Sequence, residues 1–348
     1  MRIGLLSFAH VHAEHYQALL RSMPGVELVG FWDDSVHAQS YAERYALKQY
    51  LTPQLLLAQA LDAVIVCSET SRHREVVELS ARAGVHVLCE KPIACTLEDA
   101  EAMRDVCAQH GVTFMTAFPM RFDPSCGELR QAVHSGQLGS ILGVNGVNHS
   151  ENPSVHRSWF ANPALSGGGA VMDHVVHLTD LLRWCFACEV AEVYAALQWT
   201  DGAGENGTAL DTAGIVLLTL TNGVQASIDC SWSRPATYPR WGHLKLDVIG
   251  TDSLMVIDAF ADHLTVYPPD LTRPVQWLGF GVDPNQAMLT AFLDAVQRRQ
   301  PPPVSWQDGY EATRVVLAAY TSAQQGRPVR LRPARCESTE DPGDGQGS

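Results

Sequence analysis

The sequence lacks any apolar stretch that approaches the length of a membrane span. Its opening residues, 1–6, lead into histidines rather than into a signal-peptide cleavage site. It also has few cations, because 24 Lys and Arg residues against 38 Asp and Glu residues give a net charge of −14. Such a protein is poorly suited to bind a phosphate backbone. We therefore expect no nucleic-acid partner, no membrane partner and a cytoplasmic location.

The nine cysteines are scattered through the chain. Cys185 and Cys188 form a single C-x-x-C, with no second pair at zinc-ribbon spacing. We expect reduced thiols that pack as small hydrophobic side chains. A chain of 348 residues is long enough for two ordinary cores. We predict a first domain over 1–120, a second over 121–335 and a disordered tail over 336–348, where glycine and acidic residues dominate.

Patterns of buried strands and amphipathic helices alternate through the first third of the chain. Strands are predicted at 2–6, 27–32, 62–68, 85–89 and 113–117. This alternation predicts an α/β fold with a doubly wound parallel sheet. A further strand is predicted from about residue 141. The runs at 192–200, 213–221, 224–232 and 244–250 are alternating or β-branched and are joined by Gly and Asn turns, which predicts a mostly antiparallel sheet. Residues 145–160 are polar and aromatic and are predicted to form a binding loop.

The first strand is not followed by the G-x-G-x-x-G fingerprint of dinucleotide-binding folds. The residues in its place, all candidate cofactor ligands, are Ser7, Phe8, Ala9, His10, Val11 and His12. The N-terminus of the next helix can still offer amides to a pyrophosphate. Asp33 and Asp34 end the second strand, where an acidic residue normally accepts the hydroxyls of the adenosine ribose.

The pair His10 and His12 supports a second interpretation. An H-x-H after a first strand is also how some metal-dependent barrel hydrolases begin, and imidazole is a common metal ligand. A barrel of that kind needs eight strand–helix units, which the second half of the sequence does not show. The hydrolase therefore stays an alternative, and we predict no metal site.

The strand at 85–89 ends abruptly in Glu90-Lys91-Pro92. Ligands of open α/β sheets bind at the carboxyl ends of the strands, and Pro92 stiffens the turn that holds Lys91. The competing interpretation is an ordinary solvated lysine in a loop.

Three glycines at 167–169 open a helix and can let a ligand approach its first amides. Asp173, His177 and Asp180 follow at positions i, i+4 and i+7, on one face of that helix. A carboxylate one turn from an imidazole orients it for use as a general base. The alternative is an ordinary helix with a solvated polar face. His174 points about 100° away along the helix, which disfavours a metal site built with it.

Together these motifs resemble the Gfo/Idh/MocA family of nicotinamide-dependent dehydrogenases. The resemblance is carried by Glu90-Lys91-Pro92, by 121–124, by the glycines at 167–169 with Asp173 and His177, and by the closing 326–329. It implies a Rossmann domain followed by an α/β domain whose large open sheet often forms oligomer contacts, hence a homo-oligomer, either a dimer or a tetramer.

The resemblance also implies chemistry, namely hydride transfer between a secondary alcohol of a sugar, cyclitol or related polyhydroxy compound and NAD(P). Lys91 would lie between nicotinamide and substrate, His177 would accept the proton, and Asp173 would hold a substrate hydroxyl or the lysine. Further cofactor contacts are expected from Ser68, Glu69, His73, Glu90, Lys91, Pro92 and Arg121. Further substrate contacts are expected from His149, His156, Arg157 and Trp159 in the polar aromatic segment.

Two questions of function stay open at this point. Two carboxylates, Asp33 and Asp34, would repel a 2′-phosphate and no arginine follows them directly, which favours NAD over NADP. The altered glycine turn leaves room for a non-redox protein of the same fold that senses a ligand or serves as a regulatory subunit.

Overall fold

The first sheet is parallel throughout. The computed structural model describes residues 1–267 and 275–331, so the predicted tail at 336–348 lies outside the described residues. The strands of this sheet are β1 Arg2–Leu6, β2 Glu27–Trp32, β3 Gln49–Tyr50, β4 Ala63–Val66, β5 His86–Cys89 and β6 Phe114–Thr116. Within the described part of the chain their order is β3-β2-β1-β4-β5-β6. The direction of winding reverses between β1 and β4, which confirms the predicted Rossmann-type sheet.

Helices cover both faces of this sheet. They are α1 His12–Ser22, α2 Ala38–Tyr45, α3 Pro53–Leu57, α4 His73–Arg82 and α5 Leu97–His110. Local sequence explains their ends, as in α5, where the side chain of Thr96 accepts a hydrogen bond from the amide of Asp99 and Gly111 ends the helix at φ 64°. All four residues of β4 are fully buried, as expected for a strand with helices on both sides.

The second sheet is mixed and mostly antiparallel. Its strands are β7 Ile141–Ser150, β8 Val190–Thr200, β9 Leu210–Leu220, β10 Gln225–Ser231, β11 Gly242–Gly250, β12 Leu254–Asp258 and β15 Val329–Arg330, while β13 His263–Val266 and β14 Gln276–Gly279 form a separate hairpin. The order is β12-β11-β7-β10-β9-β8-β15, and β7 with β10 is the parallel pair within it. This confirms the predicted antiparallel character, and it is not the barrel that a hydrolase using His10 and His12 would require.

The second half of the chain also forms helices, some of which pack against this second sheet. They are α6 Pro124–His134, α7 Pro163–Ser166, α8 Ala170–Phe186, α9 Pro284–Arg298 and α10 Trp306–Gln325, and short 3-10 helices lie at Thr70–Arg72, Pro119–Phe122, Pro153–Val155, Ser158–Ala161 and Glu205–Gly207. Helix α8 packs against β7, β9 and β10 on one side and against α6 and α10 on the other. It is buried on nearly all sides.

Strand β7 differs from the prediction and matters for the site. It continues to Ser150, so the first part of the predicted loop at 145–160 is strand. Val144, Asn148 and Ser150 are buried on the face that meets α8, whereas His149 between them lies on the opposite face.

The last helix joins the two sheets. Helix α10 packs against α5 and β6 as well as against α8. The hydroxyl of Thr116, at the end of β6, donates a hydrogen bond to the carbonyl of Ser305, just before α10. Helix α10 therefore links the first sheet to α8 and the second sheet. Among the described residues, no helix combines the length and apolar character that a bilayer crossing needs.

Candidate active site

A cleft lies where the carboxyl end of β5 meets the first turns of α8. Strands β7 and β11 form one wall, and the start of α1, in the first domain, contributes His12. The residues that line the cleft include His12, Lys91, Met120, Asn148, Ser150, Asp173, His174, His177, Arg240, Trp241, His243, Phe260 and Asn285. The motif Glu90-Lys91-Pro92 and the motif of Asp173 and His177 therefore meet in space, as the sequence predicts.

Lys91 is paired with Asp173. The ammonium lies 2.6 Å from Oδ1 of Asp173, and the lysine is only 5% exposed. The indole of Trp232 donates a hydrogen bond of 3.0 Å to the other oxygen, Oδ2. Burial alone would raise the pKa of Asp173, but the charge of Lys91 and these hydrogen bonds lower it well below its usual value. The carboxylate is thus ionised and fixed, and it holds the lysine in the cleft.

His177 lies one helical turn after Asp173 on the same side of α8. Its Nδ1 is buried and has no hydrogen-bond partner within 1–267 or 275–331. Burial, followed by the positive charge of Lys91, lowers the pKa of His177 well below its usual value. His177 is therefore a neutral imidazole at neutral pH, with an unused ring nitrogen beside a charged lysine.

His174 also reaches the cleft, contrary to the expectation that its direction on the helix would separate it from Asp173. Its Nε2 lies 3.1 Å from the hydroxyl of Ser150 and 3.8 Å from Oδ2 of Asp173. Burial lowers the pKa of His174 to about 4. A helix that enters a cleft end-on can present neighbouring positions to it, and sequence spacing alone did not reveal this.

The glycines before α8 serve packing rather than ligand approach. The amides of Gly169 and Val171 donate to the two carboxylate oxygens of Asp211, both at 2.8 Å, and the hydroxyl of Tyr320 donates to the same group. A Cβ at Gly169 would overlap the carbonyl oxygen of Asp211, and one at Gly168 would overlap the hydroxyl of Tyr320. Asp211 therefore caps α8 from a strand and sets the position of Asp173.

The histidines of the first turn form a buried cluster with Glu90. Nδ1 of His12 lies 2.9 Å from Oε1 of Glu90, and Tyr16 donates its hydroxyl to the same oxygen at 2.7 Å. Burial lowers the pKa of His10 to about 3, and burial would raise the pKa of Glu90 but the neighbouring imidazoles lower it. One ligand atom from each of His10, His12 and Glu90 lies within 4.8 Å of the others, a set that could hold a metal ion. Each of the three is also hydrogen-bonded without an ion.

The backbone of this turn follows the course of a dinucleotide site, but most of its amides are already used. Ser7 adopts φ 75°, the left-handed conformation for which such a turn usually needs glycine. The amide of Phe8 donates to Asp33, that of Ala9 to the hydroxyl of Ser7, and that of His10 to a backbone carbonyl. Asp33 is buried, at 3% exposed, and also accepts from the hydroxyl of Ser7. It braces the turn and is not free to bind a ribose.

Asp34 and the end of β4 occupy the adenosine end of the predicted cofactor site. Asp34 forms two hydrogen bonds of 2.9 Å with the guanidinium of Arg72, so an arginine does meet this pair of acids, although it comes from another loop. Ser68 is buried, and Oε2 of Glu69 is buried without a hydrogen-bond partner in the described chain. Both ring nitrogens of His73 lie against backbone carbonyls, so this residue braces the loops instead of facing a ligand.

Arg121 is placed away from the predicted cofactor role. Its guanidinium donates to both oxygens of Asp180 and also contacts Asp308. Asp180, expected beside Asp173 and His177, is 1% exposed, and burial raises its pKa to about 6. Arg121, Asp180 and Asp308 form a buried ion network that joins α8 to α10. Neither Arg121 nor Asp180 is therefore free to contact a ligand in the cleft.

The four residues expected to bind substrate from 145–160 fall in three places. His149 lies on the far face of the second sheet, 3.0 Å from Asp229. His156 is exposed beside Trp241, whose own ring lines the cleft. Arg157 and Trp159 donate hydrogen bonds to the carbonyls of the β1–α1 turn, at Phe8 and Ala9 respectively. A loop was therefore predicted where β7 continues, and Asn148 and Ser150 line the cleft instead of His149.

The residues at this edge of the sheet fit a bound NAD, although Asp33, His73 and Arg121 do not make the predicted contacts with it. The reversal of strand order, the left-handed Ser7 and the buried Oε2 of Glu69, which accepts no hydrogen bond within 1–267 and 275–331, all lie at the edge where a dinucleotide binds. The amide of Val11, ahead of α1, makes no hydrogen bond among the residues described. The peptide bond between Lys91 and Pro92 is cis.

Comparison with known proteins agrees with this geometry. Myo-inositol 2-dehydrogenase of Thermotoga maritima is 29% identical over 353 residues, covering 95% of this chain and 98% of that protein. D-apiose dehydrogenase of Paraburkholderia graminis is 26% identical and covers 96% of this chain and 89% of its own. The crystal structure of GenD2 from gentamicin A biosynthesis, in complex with NAD, has the same fold, with a TM-score of 0.84, 22% identity and coverage of 95% and 96%.

Two family models match successive parts of the chain. Residues 1–118 match the oxidoreductase family with an NAD-binding Rossmann fold. Residues 127–256 match the GFO/IDH/MocA C-terminal domain. The protein is therefore a member of the Gfo/Idh/MocA family of NAD(P)-dependent oxidoreductases.

Proposed function

We propose that this protein is a dehydrogenase that oxidises a secondary alcohol of a sugar, cyclitol or related polyhydroxy compound, with NAD as the hydride acceptor. One observation carries the proposal: a buried Lys91–Asp173 pair and the imidazole of His177 line the same cleft. The relatives named for inositol and apiose support this class of substrate, since both compounds are polyhydroxylated.

The roles of these side chains follow from their charges. The ammonium of Lys91 stabilises an alkoxide as it develops on the substrate oxygen, since it is held in the cleft with little water around it. Asp173 orients the ammonium and stays ionised. His177 takes up the hydroxyl proton on Nε2, the ring nitrogen that is not buried. The products of the step are the carbonyl compound and a protonated His177.

The low pKa of His177 makes it a weak base, and Lys91 compensates for this. Imidazolium next to an ammonium is disfavoured, which is part of the reason that the pKa of His177 is low. The same ammonium lowers the pKa of a hydroxyl that lies against it, so the pKa values of donor and acceptor move down together. Asp173, one turn away, favours the charged imidazole.

The cofactor would be held mainly by the turn at 7–12, by Asp34 and Glu69 at the adenosine end, and by 90–92 near the nicotinamide. When bound, NAD supplies the electrophilic carbon that accepts the hydride. We propose NAD rather than NADP, because Asp34 neutralises Arg72 and leaves no free cation there for a 2′-phosphate.

We also propose that the protein is a homo-oligomer that associates through the outer face of the second sheet. Tyr194, Ile215 and Leu217 lie on that face, opposite the helices, and are 39%, 46% and 45% exposed. Tyr194 pairs with Leu217 and Ala196 pairs with Ile215 across neighbouring strands, so the apolar side chains are contiguous.

The first experiment is a calorimetric titration of the purified protein with NAD and with NADP, followed by a screen of polyol oxidation with the cofactor that binds. Binding of NAD and reduction of NAD by a polyhydroxy alcohol are expected. A protein that binds NAD but oxidises no polyhydroxy alcohol would contradict the proposed substrate class.

Lys91→Ala and His177→Ala are each expected to lower turnover by about a hundredfold or more, while the dissociation constant of NAD changes little, because both side chains act on the alcohol rather than on the cofactor. Steady-state kinetics and calorimetry measure the two effects separately. Lys48→Ala, an exposed lysine of the same domain, is the control and keeps full turnover. Full activity in either cleft variant would refute its assigned role.

A second candidate is a non-redox ligand sensor on the same fold. The observation in its favour is the turn at 7–12, where internal acceptors already occupy most of the amides. The titration distinguishes the two candidates. A sensor of this kind would bind polyols, but protein free of cofactor would bind neither NAD nor NADP.

A further inference from the structure

Arg240 at the wall of the active cleft and its neighbour Arg234 have few carboxylates around them. Arg240 lines the cleft beside Trp241 and His243, in the segment that leads into β11. Arg234, shortly before it, contacts the imidazoles of His149 and His243 at 3.5 and 3.4 Å. The Nε atoms of both arginines are buried and lack a hydrogen-bond partner in the described part of the chain.

The carboxylates nearby do not balance these charges. Asp258 lies 3.4 Å from Nη2 of Arg240, a long contact, and also 3.5 Å from His243. Among the residues described, no carboxylate lies within ion-pair distance of Arg234. Asp229 lies against His149 at 3.0 Å, and Asp247 against Lys245 at 2.9 Å.

The rest of the cleft adds no free negative charge. Its own carboxylate, Asp173, is neutralised by Lys91. The imidazoles of His174 and His177 are neutral at neutral pH because burial lowers their pKa values. Among the residues that line the cleft, Arg240 is therefore the cation without a close counter-ion, in a protein whose net charge is −14. Partly buried guanidinium groups are costly unless an anion pairs with them, and the fork of an arginine matches carboxylate and phosphate.

We infer that the substrate of this cleft carries an anionic group, a carboxylate or a phosphate ester, in addition to the hydroxyl that reacts. This inference rests on the proposed dehydrogenase function and makes its substrate class narrower. Arg240 binds the anion directly, and Arg234 strengthens its binding through charge. The substrate is thus an acidic polyhydroxy compound rather than a neutral sugar or cyclitol.

The test compares matched substrates that differ in charge: glucose, glucuronate and glucose 6-phosphate, with myo-inositol as a second neutral compound. For at least one of the two anionic substrates, we expect a kcat/KM about tenfold or more above that for the neutral compounds. A preference for glucuronate identifies a carboxylate, and a preference for glucose 6-phosphate identifies a phosphate ester. Equal or better use of the neutral compounds overturns the inference.

Variants locate the effect. Arg240→Gln is expected to raise KM for the preferred anion about tenfold with little change in KM for glucose, and Arg234→Gln is expected to do so by a smaller factor. Arg298→Gln, at an exposed arginine on α9, is the matched control and leaves both KM values unchanged. Equal losses for charged and neutral substrates in Arg240→Gln would mean that this arginine only supports the neighbouring Phe260 and Asp258, and would overturn the assignment.

Calorimetry with gluconate and with inorganic phosphate provides a readout that does not depend on turnover. Binding of either anion to the wild type that is weakened in Arg240→Gln supports the subsite. Binding that is absent, or unchanged in Arg240→Gln, overturns the subsite even where neutral polyols are oxidised. Intact binding of the anion without any binding of NAD would instead contradict the dehydrogenase proposal and leave the subsite standing.

Discussion

In the proposed cofactor site Arg72 lies where a 2′-phosphate of NADP would need a cation. Asp34 holds it with two hydrogen bonds, while Glu69 and Glu75 lie farther away, at 3.8 Å. Asp34→Ser removes both hydrogen bonds to Arg72 and leaves its guanidinium only the longer contacts to Glu69 and Glu75. We expect NADP to bind about tenfold more tightly to this variant than to the wild type, since an arginine binds a phosphate through charge-assisted hydrogen bonds. Calorimetric titrations with NAD and NADP measure the change.

Asp105→Ser, at an exposed aspartate paired with the arginine next to it, serves as the control and should leave both cofactor affinities unchanged. Weak binding of NADP that persists in Asp34→Ser would mean that the 2′ position does not lie at Arg72.

The buried histidines make stability depend on pH. His10 and His174 keep pKa values of about 3 and about 4 in the folded protein, whereas in the unfolded chain both take up protons near pH 6.5. The unfolded state therefore binds more protons between these values, so the free energy of unfolding falls as the pH drops below about 6.5. Asp180, whose pKa is raised to about 6, acts in the opposite direction below pH 6.

We expect His10→Gln to reduce the pH dependence of stability between pH 6.5 and 5 by up to roughly 1.4 kcal/mol per pH unit, the contribution of one titrating group. Urea denaturation at several pH values measures this slope. Glu90 and Asp173 have lowered pKa values and lose their contribution only near and below about pH 4.5, outside this range. Identical slopes in wild type and variant would show that His10 titrates normally in the folded protein.

Helix α8 depends on the glycines before it. A methyl group at Gly169 would overlap the carbonyl of Asp211, the residue that accepts the first amides of the helix. Gly169→Ala is expected to destabilise the fold by about 3 kcal/mol, the upper range for overpacking of a core. Turnover should also fall, since the start of α8 positions Asp173. Thermal or chemical denaturation, with kinetics on the same sample, measures both.

Gly127 is the matched control for this element. It lies inside α6, and a Cβ there would meet no atom within 4 Å. Gly127→Ala is expected to be neutral or to stabilise by about 0.5–1 kcal/mol, because alanine loses less conformational entropy in a helix than glycine does. A similar loss of stability in both variants would refute the role of close packing at Gly169.

The outer face of the second sheet concerns the molecule as a whole. Leu217→Glu places a charge in the middle of the apolar surface made by Tyr194, Ile215 and Leu217. We expect this variant to shift the protein toward monomer, since burying an unpaired carboxylate in an interface is costly. Sedimentation or light scattering measures the mass. Val36→Glu, at a 93% exposed valine of the first domain, should leave the mass unchanged, and a wild-type monomer would contradict the proposed interface.

The sequence by itself determined the architecture and the centre of the site. Alternation of apolar strands with helices predicted the parallel sheet, because a strand covered on both faces must be apolar throughout. The position of Lys91 at a strand end and the i, i+4 spacing of Asp173 and His177 predicted residues that meet in one cleft. These are local signals, carried by neighbouring residues or by one turn of a helix.

Only the tertiary structure decided which partners the other polar groups have. Successive side chains of a strand point to opposite faces. On β7, Asn148 and Ser150 therefore face the cleft, whereas His149 between them faces away from it. Arg121 and Asp180 take each other as partners, Asp33 turns inward to the β1–α1 turn, and Arg240 reaches the cleft from more than sixty residues beyond Asp173. Such pairings join residues far apart in the chain, so no local period predicts them; packing and the need to pair buried charges select them.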